Sequence, residues 1–179
     1  MTAPEVIAGI CRDFGPQLTL PAGSPLVPDR VLWALAGCES DFGMYALPRH
    51  EPAYCYGHRY DVPSLSKRYG CLAHCSYGPW QMMYPHLVTY GGPENPADFV
   101  FVAQPGDVSD QQFDARARRC AKIAVAMLNA EIFGRQRAMT LAEVAKAWNH
   151  GVWADDFDDD DYVNRARKFY AEPYPLEAK

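Results

Sequence analysis

Glu39 is the side chain best placed for acid–base chemistry, because it lies near the end of an apolar segment. The segment covers residues 29–43 and reads DRVLWALAGCESDFG. Asp29 is a typical N-cap and Gly43 typically follows a helix end, so the segment predicts one helix. A carboxyl among apolar neighbours has its charged form disfavoured, which raises its pKa toward the range of a general acid. The alternative is a glutamate on the solvated face of a core helix.

Apolar periodicity predicts that this helix lies with one face in a core. The residues at helical spacing are Val31, Leu32, Leu35, Ala36, Cys38 and Phe42. Periodicity and capping boxes at Thr2, Ser109 and Thr140 predict further helices. These cover residues 2–15, 64–69, 85–90, 109–133, 140–149 and 162–170. No set of alternating strands is visible, so the chain is predicted to be one mainly α domain over residues 1–179.

Composition sets limits on the function. The chain has 179 residues, 49% of them hydrophobic and 22% charged, as expected for a soluble globular domain. Its net charge of −5 argues against a general nucleic-acid binder. No apolar run approaches the roughly 20 residues of a membrane-spanning helix. The N-terminus lacks the basic and apolar regions of a signal peptide, so synthesis in the cytoplasm is expected. We expect a monomer.

Six cysteines leave three alternatives open for the segment of residues 44–77. Cys55 and His58 are followed by Cys71 and Cys75, a spacing that resembles a set of zinc ligands. The even number of cysteines equally permits a disulfide within the segment, and free thiols are the third alternative. No other cofactor is indicated.

The same segment is rich in tyrosine, proline and histidine and is predicted to be an irregular insert. Its run RHEPAY at residues 49–54 brings polar and aromatic groups close behind Glu39 and includes Glu51. Loops of this composition often carry function, and aromatic faces suit sugar rings. The alternative is a covering flap whose tyrosines pack on the domain.

Four separated motifs resemble those of the lysozyme-like superfamily, specifically soluble lytic transglycosylases and goose-type lysozymes. Glu39-Ser40 matches the Glu-Ser that ends a helix in that family. GPWQMM at residues 78–83 resembles its Gly-Leu-Met-Gln turn and keeps Gly78 and Gln81. AWNHG at residues 147–151 resembles Ala-Tyr-Asn-Ala-Gly and keeps Asn149, while Tyr162-Val163 matches a Tyr-Val pair. The altered turn and the long interval between Glu39 and Gln81 depart from the family pattern.

The resemblance implies a lysozyme-like domain of the lytic transglycosylase type, carrying a cysteine-containing insert. The implied substrate is the β-1,4 bond between N-acetylmuramic acid and N-acetylglucosamine in peptidoglycan, with Glu39 as general acid and base. The expected substrate-binding residues are Ser40, Gly78, Gln81, Asn149, Tyr162 and Glu51, of which Gln81 and Asn149 would orient the sugar. Tyr162 would lie beside Glu39, and Ser40 would orient local backbone. Gln81 has the alternative of a buried polar group satisfied within the protein.

The residues leave three other functions open. A goose-type hydrolase would need a second carboxylate, for which Asp41, Glu51 and Asp61 are candidates. A lysozyme-like scaffold could also be a non-catalytic glycan-binding or structural module. The cysteine–histidine insert could instead make a zinc-stapled interaction domain. A wall-degrading site without a signal peptide suggests an enzyme released by lysis or carried on a phage particle.

Overall fold

Helices form most of the chain, as the apolar periodicity predicts. The computed structural model describes residues 2–92, 95–99, 111–135, 137–150 and 160–175. The helices are α1 Ala3–Phe14, α2 Pro28–Ser40, α3 Pro63–Tyr69, α4 Tyr84–Thr89, α5 Gln111–Met127, α6 Leu141–His150 and α7 Asp160–Ala171. The prediction of a mainly α protein is confirmed.

The centre of the core is α2. Its residues 31–38 are buried on every side, as expected for a helix that is apolar all round. It packs most extensively against α7 and also contacts α1. A Cβ atom at Gly37 would lie 2.7 Å from the rings of Phe42 and Phe169, so glycine allows α7 to approach α2 closely. This close approach positions the residues of α7 beside the C-terminal end of α2.

The predicted boundaries of α2 are corrected at both ends. The N-cap is Val27, followed by Pro28, while Asp29 lies in the first turn, where its charge favours the helix dipole. The helix ends at Ser40 rather than beside Gly43, because Asp41 takes the left-handed conformation with φ of 49°. Aspartate tolerates this conformation better than most residues. Glu39 therefore lies in the last turn of α2.

Two of the three predicted capping boxes form within the described residues. Thr2 and Glu5 bond reciprocally at the start of α1, and Thr140 and Glu143 do so before α6. The third, at Ser109, lies outside them. The long helix ends earlier than predicted, at Met127. A wider π-type turn follows at Leu128–Ile132 and a 3-10 turn at Phe133–Arg135.

A small antiparallel sheet lies in and just after the insert, where the sequence predicts none. Its strands are β1 Arg49–His50, β2 Cys75–Tyr77 and β3 Met82–Met83, in the order β1-β2-β3. Arg49 lies opposite Ser76, and His50 lies opposite Cys75. Strands of two or three residues are too short for their alternation to be recognised. The sheet places β1, with the polar residues that follow Glu39 in the sequence, next to the end of α2.

Candidate active site

Glu39 is a buried carboxyl. Its side chain is only 7% exposed at the end of the apolar helix α2. Burial raises the pKa of Glu39 from its ordinary value of 4.5 to about 7, although a hydrogen bond from Tyr162 and the charges of Arg49 and Arg165 act in the opposite direction. The nearby charge of Glu51 adds to the rise. Near neutral pH the carboxyl therefore exists in both protonation states, as a group that gives and then takes a proton requires.

Tyr162 donates a hydrogen bond of 2.8 Å from its hydroxyl to Oε1 of Glu39. The two residues are 123 positions apart, and the packing of α7 on α2 brings them together. Burial, with the charge of Glu39, raises the pKa of Tyr162 well above its usual value, so the phenol keeps its proton and remains a donor. The structure thus places Tyr162 beside Glu39, where the resemblance implied it would be.

Arg165 lies one turn after Tyr162 and faces the same end of α2. Its Nη1 donates to the carbonyl oxygen of Cys38 at 3.3 Å, and its guanidinium carbon lies 5.5 Å from the centre of the Tyr162 ring. An arginine at a helix C-terminus satisfies a free carbonyl and favours the helix dipole. The sequence analysis missed Arg165, although its spacing of three from Tyr162 puts both on one helix face.

Arg49 joins Glu39 to Glu51. Its Nη2 lies 3.8 Å from Oε2 of Glu39, and its Nε donates to Oε1 of Glu51 at 2.6 Å. The Ser76 hydroxyl on the neighbouring strand β2 lies 3.2 Å from the same Glu51 oxygen. Glu51 is partly exposed, at 26%, and so faces solvent more than Glu39 does. The sequence analysis gave Arg49 no role, because its position beside Glu39 depends on tertiary packing.

Of the three candidate second carboxylates, Glu51 is the one that the described contacts connect to Glu39. Asp41 is an exposed residue at the C-cap of α2. Asp61 accepts hydrogen bonds from Ser66 and from the backbone N–H of Gly57, within the insert.

The turn at residues 78–81 is fastened to α2 by two bonds. The hydroxyl of Ser40 lies 2.7 Å from the carbonyl oxygen of Pro79 and accepts the N–H of Gly43. The indole of Trp80, fully buried, donates to the carbonyl oxygen of Leu32 at 3.0 Å. Gly78 supplies a positive φ of 76°, which the turn requires. Ser40 therefore bonds to backbone groups, and Gly78 allows the backbone to turn.

Gln81 is satisfied within the protein. Its Nε2 donates to the carbonyl oxygens of Gly78 at 2.9 Å and Leu47 at 3.2 Å, and its Oε1 accepts from the Ser76 hydroxyl at 2.8 Å. Both amide hydrogens are thus used, and the residue is buried. Of the two alternatives left open by the sequence, the contacts favour a buried polar group that holds the turn. The Ser76 hydroxyl lies near both Gln81 and Glu51 and so connects Gln81 to the site.

Asn149 lies near the end of α6 with an exposed side chain. That helix packs on α7 and also contacts α2. Gly151 of the same motif lies outside the described residues.

The four predicted zinc ligands do not come together as one group. Among the described residues, one set of three donor atoms lies within 4.8 Å of one another, and it belongs to His50, Cys55 and His74. Only Cys55 is common to the two sets. All six cysteines are free thiols, so the predicted disulfide alternative is not found.

An open depression of about 570 Å³ lies along α7. It is lined by Asp161, Asn164, Arg165 and Lys168. Because Glu39 does not line it, we define the site by the contacts of the buried carboxyl instead.

Comparisons of the chain with protein-family models, with curated proteins and with solved structures found no match. No helix among the described residues has the length and apolar character needed to cross a membrane.

Proposed function

We propose that the protein cleaves the β-1,4 bond between N-acetylmuramic acid and N-acetylglucosamine in peptidoglycan, with Glu39 as general acid and base. The observation that supports this most is the buried Glu39 carboxyl bonded to the Tyr162 phenol, at the end of a helix whose Glu-Ser motif resembles that of lytic transglycosylases. Burial keeps a fraction of Glu39 protonated near neutral pH, so a proton is available for the leaving group.

In the first half of the reaction, protonated Glu39 donates its proton to the glycosidic oxygen while the bond from that oxygen to C1 breaks. Positive charge develops at C1 and on the ring oxygen. Glu39 becomes a carboxylate at the same time. The Tyr162 hydroxyl donates to that carboxylate, and the charges of Arg49 and Arg165 stabilise it.

In the second half, the muramoyl 6-hydroxyl attacks C1 and gives its proton to the Glu39 carboxylate. A 1,6-anhydro ring forms, and Glu39 returns to its protonated state. One carboxyl performs both transfers, so a second carboxylate nucleophile is not needed.

A muramidase that hydrolyses the same bond is the second candidate function. Glu51 favours it, because Glu51 and Glu39 both contact Arg49, and Glu51 is exposed enough to meet water. In that reaction Glu51 takes a proton from the water that attacks C1, while Glu39 protonates the leaving oxygen.

The test is digestion of purified peptidoglycan by the wild-type protein, Glu39→Gln and the control Glu172→Gln, followed by mass spectrometry of the soluble products. Glu172 is a suitable control because it is a glutamate just beyond the C-terminal end of α7, and its carboxylate lies 3.8 Å from the Lys168 ammonium. We expect anhydro-muropeptides from the wild type and the control, with none from Glu39→Gln. Reducing-end products lost in Glu39→Gln would favour the hydrolase. Products unchanged by Glu39→Gln, or none from any protein, would contradict both, and the latter would favour a non-catalytic module.

A further inference from the structure

A cluster of two imidazoles and a thiol lies at β1 and the insert that follows it. Nε2 of His50 is 3.2 Å from Sγ of Cys55, and a ring nitrogen of His74 completes a set whose atoms all lie within 4.8 Å of one another. We propose that His50, Cys55 and His74 bind one Zn²⁺ ion. This site differs from the ligand set that the sequence spacing predicts.

The separations suit zinc. Bonds of about 2.0–2.1 Å to nitrogen and 2.3 Å to sulfur, at tetrahedral angles, place ligand atoms about 3.4–3.6 Å apart. The His50–Cys55 pair, at 3.2 Å, is already near that range, and no pair in the set exceeds it by more than about an ångström. Imidazole and thiolate together are donors that favour zinc over magnesium or calcium. The fourth position faces solvent, since His50 is exposed and Cys55 is partly exposed.

A hydrogen bond with Ser66 fixes the tautomer of the His74 imidazole. Its Nε2 lies 2.9 Å from the Ser66 hydroxyl, and that hydroxyl in turn donates to Asp61. Because the hydroxyl proton points to Asp61, the imidazole must donate to Ser66, which fixes the hydrogen on Nε2 and leaves Nδ1 with its lone pair. A carboxylate-linked hydrogen bond of this kind behind a histidine is typical of metal sites.

The same direction of hydrogen bonding argues against a nucleophilic serine. In a catalytic triad the histidine accepts the serine proton and the carboxylate holds the histidine. Here the carboxylate of Asp61 contacts Ser66 instead. The chain Asp61–Ser66–His74 therefore orients an imidazole.

Zinc at this position would fasten the extended segment of residues 49–51, which carries Arg49 and Glu51. His50 lies between these two residues, and successive side chains of an extended segment point to opposite faces. Arg49 and Glu51 bond to each other on the Glu39 side, while His50 reaches the cluster on the other. The metal would join this segment to Cys55 and His74, two further parts of the insert.

The insert supplies matched controls for a binding experiment. His50→Asn and Cys55→Ser remove proposed ligands, whereas His58→Asn and Cys71→Ser remove the same residue types from the set that the sequence predicts. Each reduced protein is titrated with Zn²⁺ against a chromophoric chelator, and its metal content after purification is measured by mass spectrometry. Circular dichroism verifies that each variant is folded.

We expect about one zinc per chain in the wild type, His58→Asn and Cys71→Ser. Affinity should fall more than about 100-fold in His50→Asn and Cys55→Ser, and about 10- to 100-fold in Ser66→Ala, which removes only the orienting hydroxyl. Co²⁺ in place of zinc should give thiolate charge-transfer absorption that Cys55→Ser abolishes. A reduced wild-type protein that takes up no zinc would overturn the assignment. So would unchanged affinity in His50→Asn and Cys55→Ser. These measurements use no glycan, so their outcome is independent of the reaction at Glu39.

Discussion

The C-terminal end of α2 and the insert of residues 44–77 hold two carboxylates that share one arginine in contrasting surroundings. Glu39 is buried at the end of the apolar helix α2, and the close packing of α7 on α2 supplies its phenol partner. Glu51 directly follows the short strand β1, has polar contacts with Arg49 and Ser76, and remains partly exposed. The comparison indicates that burial, rather than the neighbouring charges, raises the pKa of Glu39. The insert contributes two of the charges that adjust this pKa, those of Arg49 and Glu51.

The largest expected effect is a difference in stability between a substitution at the buried turn and one in the insert. Trp80→Ala removes a fully buried indole that fastens the turn at residues 78–81 to α2, and should lower the free energy of unfolding by about 3–5 kcal/mol. Tyr56→Ala in the insert removes a ring that is 74% exposed and should change it by no more than about 0.5 kcal/mol. Urea unfolding of both variants measures the difference. Similar losses would mean that the insert is as tightly packed as the helices.

A pH dependence of stability should arise from Glu39. Its pKa is about 7 in the folded chain and 4.5 as an ordinary carboxyl, so the folded state holds the extra proton between these values. The resulting stabilisation is complete below pH 4.5 and is lost as the pH rises to about 7. At about 1.4 kcal/mol per pKa unit, the loss is at most about 3–4 kcal/mol.

Glu39→Gln should remove this slope, so the variant and the wild type should be similar in stability at pH 4 while the variant is more stable at pH 8. Urea unfolding at the two pH values measures this. A slope that persists in Glu39→Gln would assign it to other groups.

Tyr162→Phe tests the role of the phenol that donates a hydrogen bond to Glu39. A hydrogen bond to a charged group contributes about 1.5–3 kcal/mol, and this one stabilises the carboxylate formed as the proton leaves. Glycan cleavage should therefore slow about 10- to 150-fold. The pKa of Glu39 should rise further, because the phenol lowers it. Tyr45→Phe, at an exposed ring, is the control. Unchanged kcat in Tyr162→Phe would show that the phenol only packs.

The smallest expected effect on rate is that of Glu51→Gln. Because the anhydro-forming reaction uses Glu39 alone, cleavage should change only a few-fold, and the pKa of Glu39 should fall since a nearby negative charge is removed. Asp41→Asn is the control, as asparagine keeps the left-handed C-cap. A loss of about 10²–10⁴-fold in Glu51→Gln would instead identify Glu51 as a catalytic base and the reaction as hydrolysis.

The helical part of the fold could be predicted because its signals are local. The apolar residues proposed for α2 are all buried, and the capping boxes at Thr2 and Thr140 form as predicted. The end of α2 was misplaced because both Asp41 and Gly43 take positive φ, and the sequence favours the glycine.

The contacts of the site depend on tertiary packing and could not be read from spacing. Tyr162 was placed beside Glu39 by resemblance, not by any property of residues 123 positions apart. Arg49 was missed because strands of two or three residues leave no periodic signal. The histidine–cysteine cluster was missed for a similar reason, since His50 reaches it through the pairing of β1 with β2.

The most direct test of the central claim is a titration of the Glu39 side-chain carboxyl by carbon NMR in ¹³C-labelled protein. The Glu39→Gln variant identifies its signal by loss of one resonance. We predict a pKa near 7, because burial outweighs the opposing influence of Tyr162 and the two arginines. A carboxyl that titrates at its ordinary value of 4.5 would be ionised at neutral pH, and would contradict the proposal that the fold keeps Glu39 ready to donate a proton.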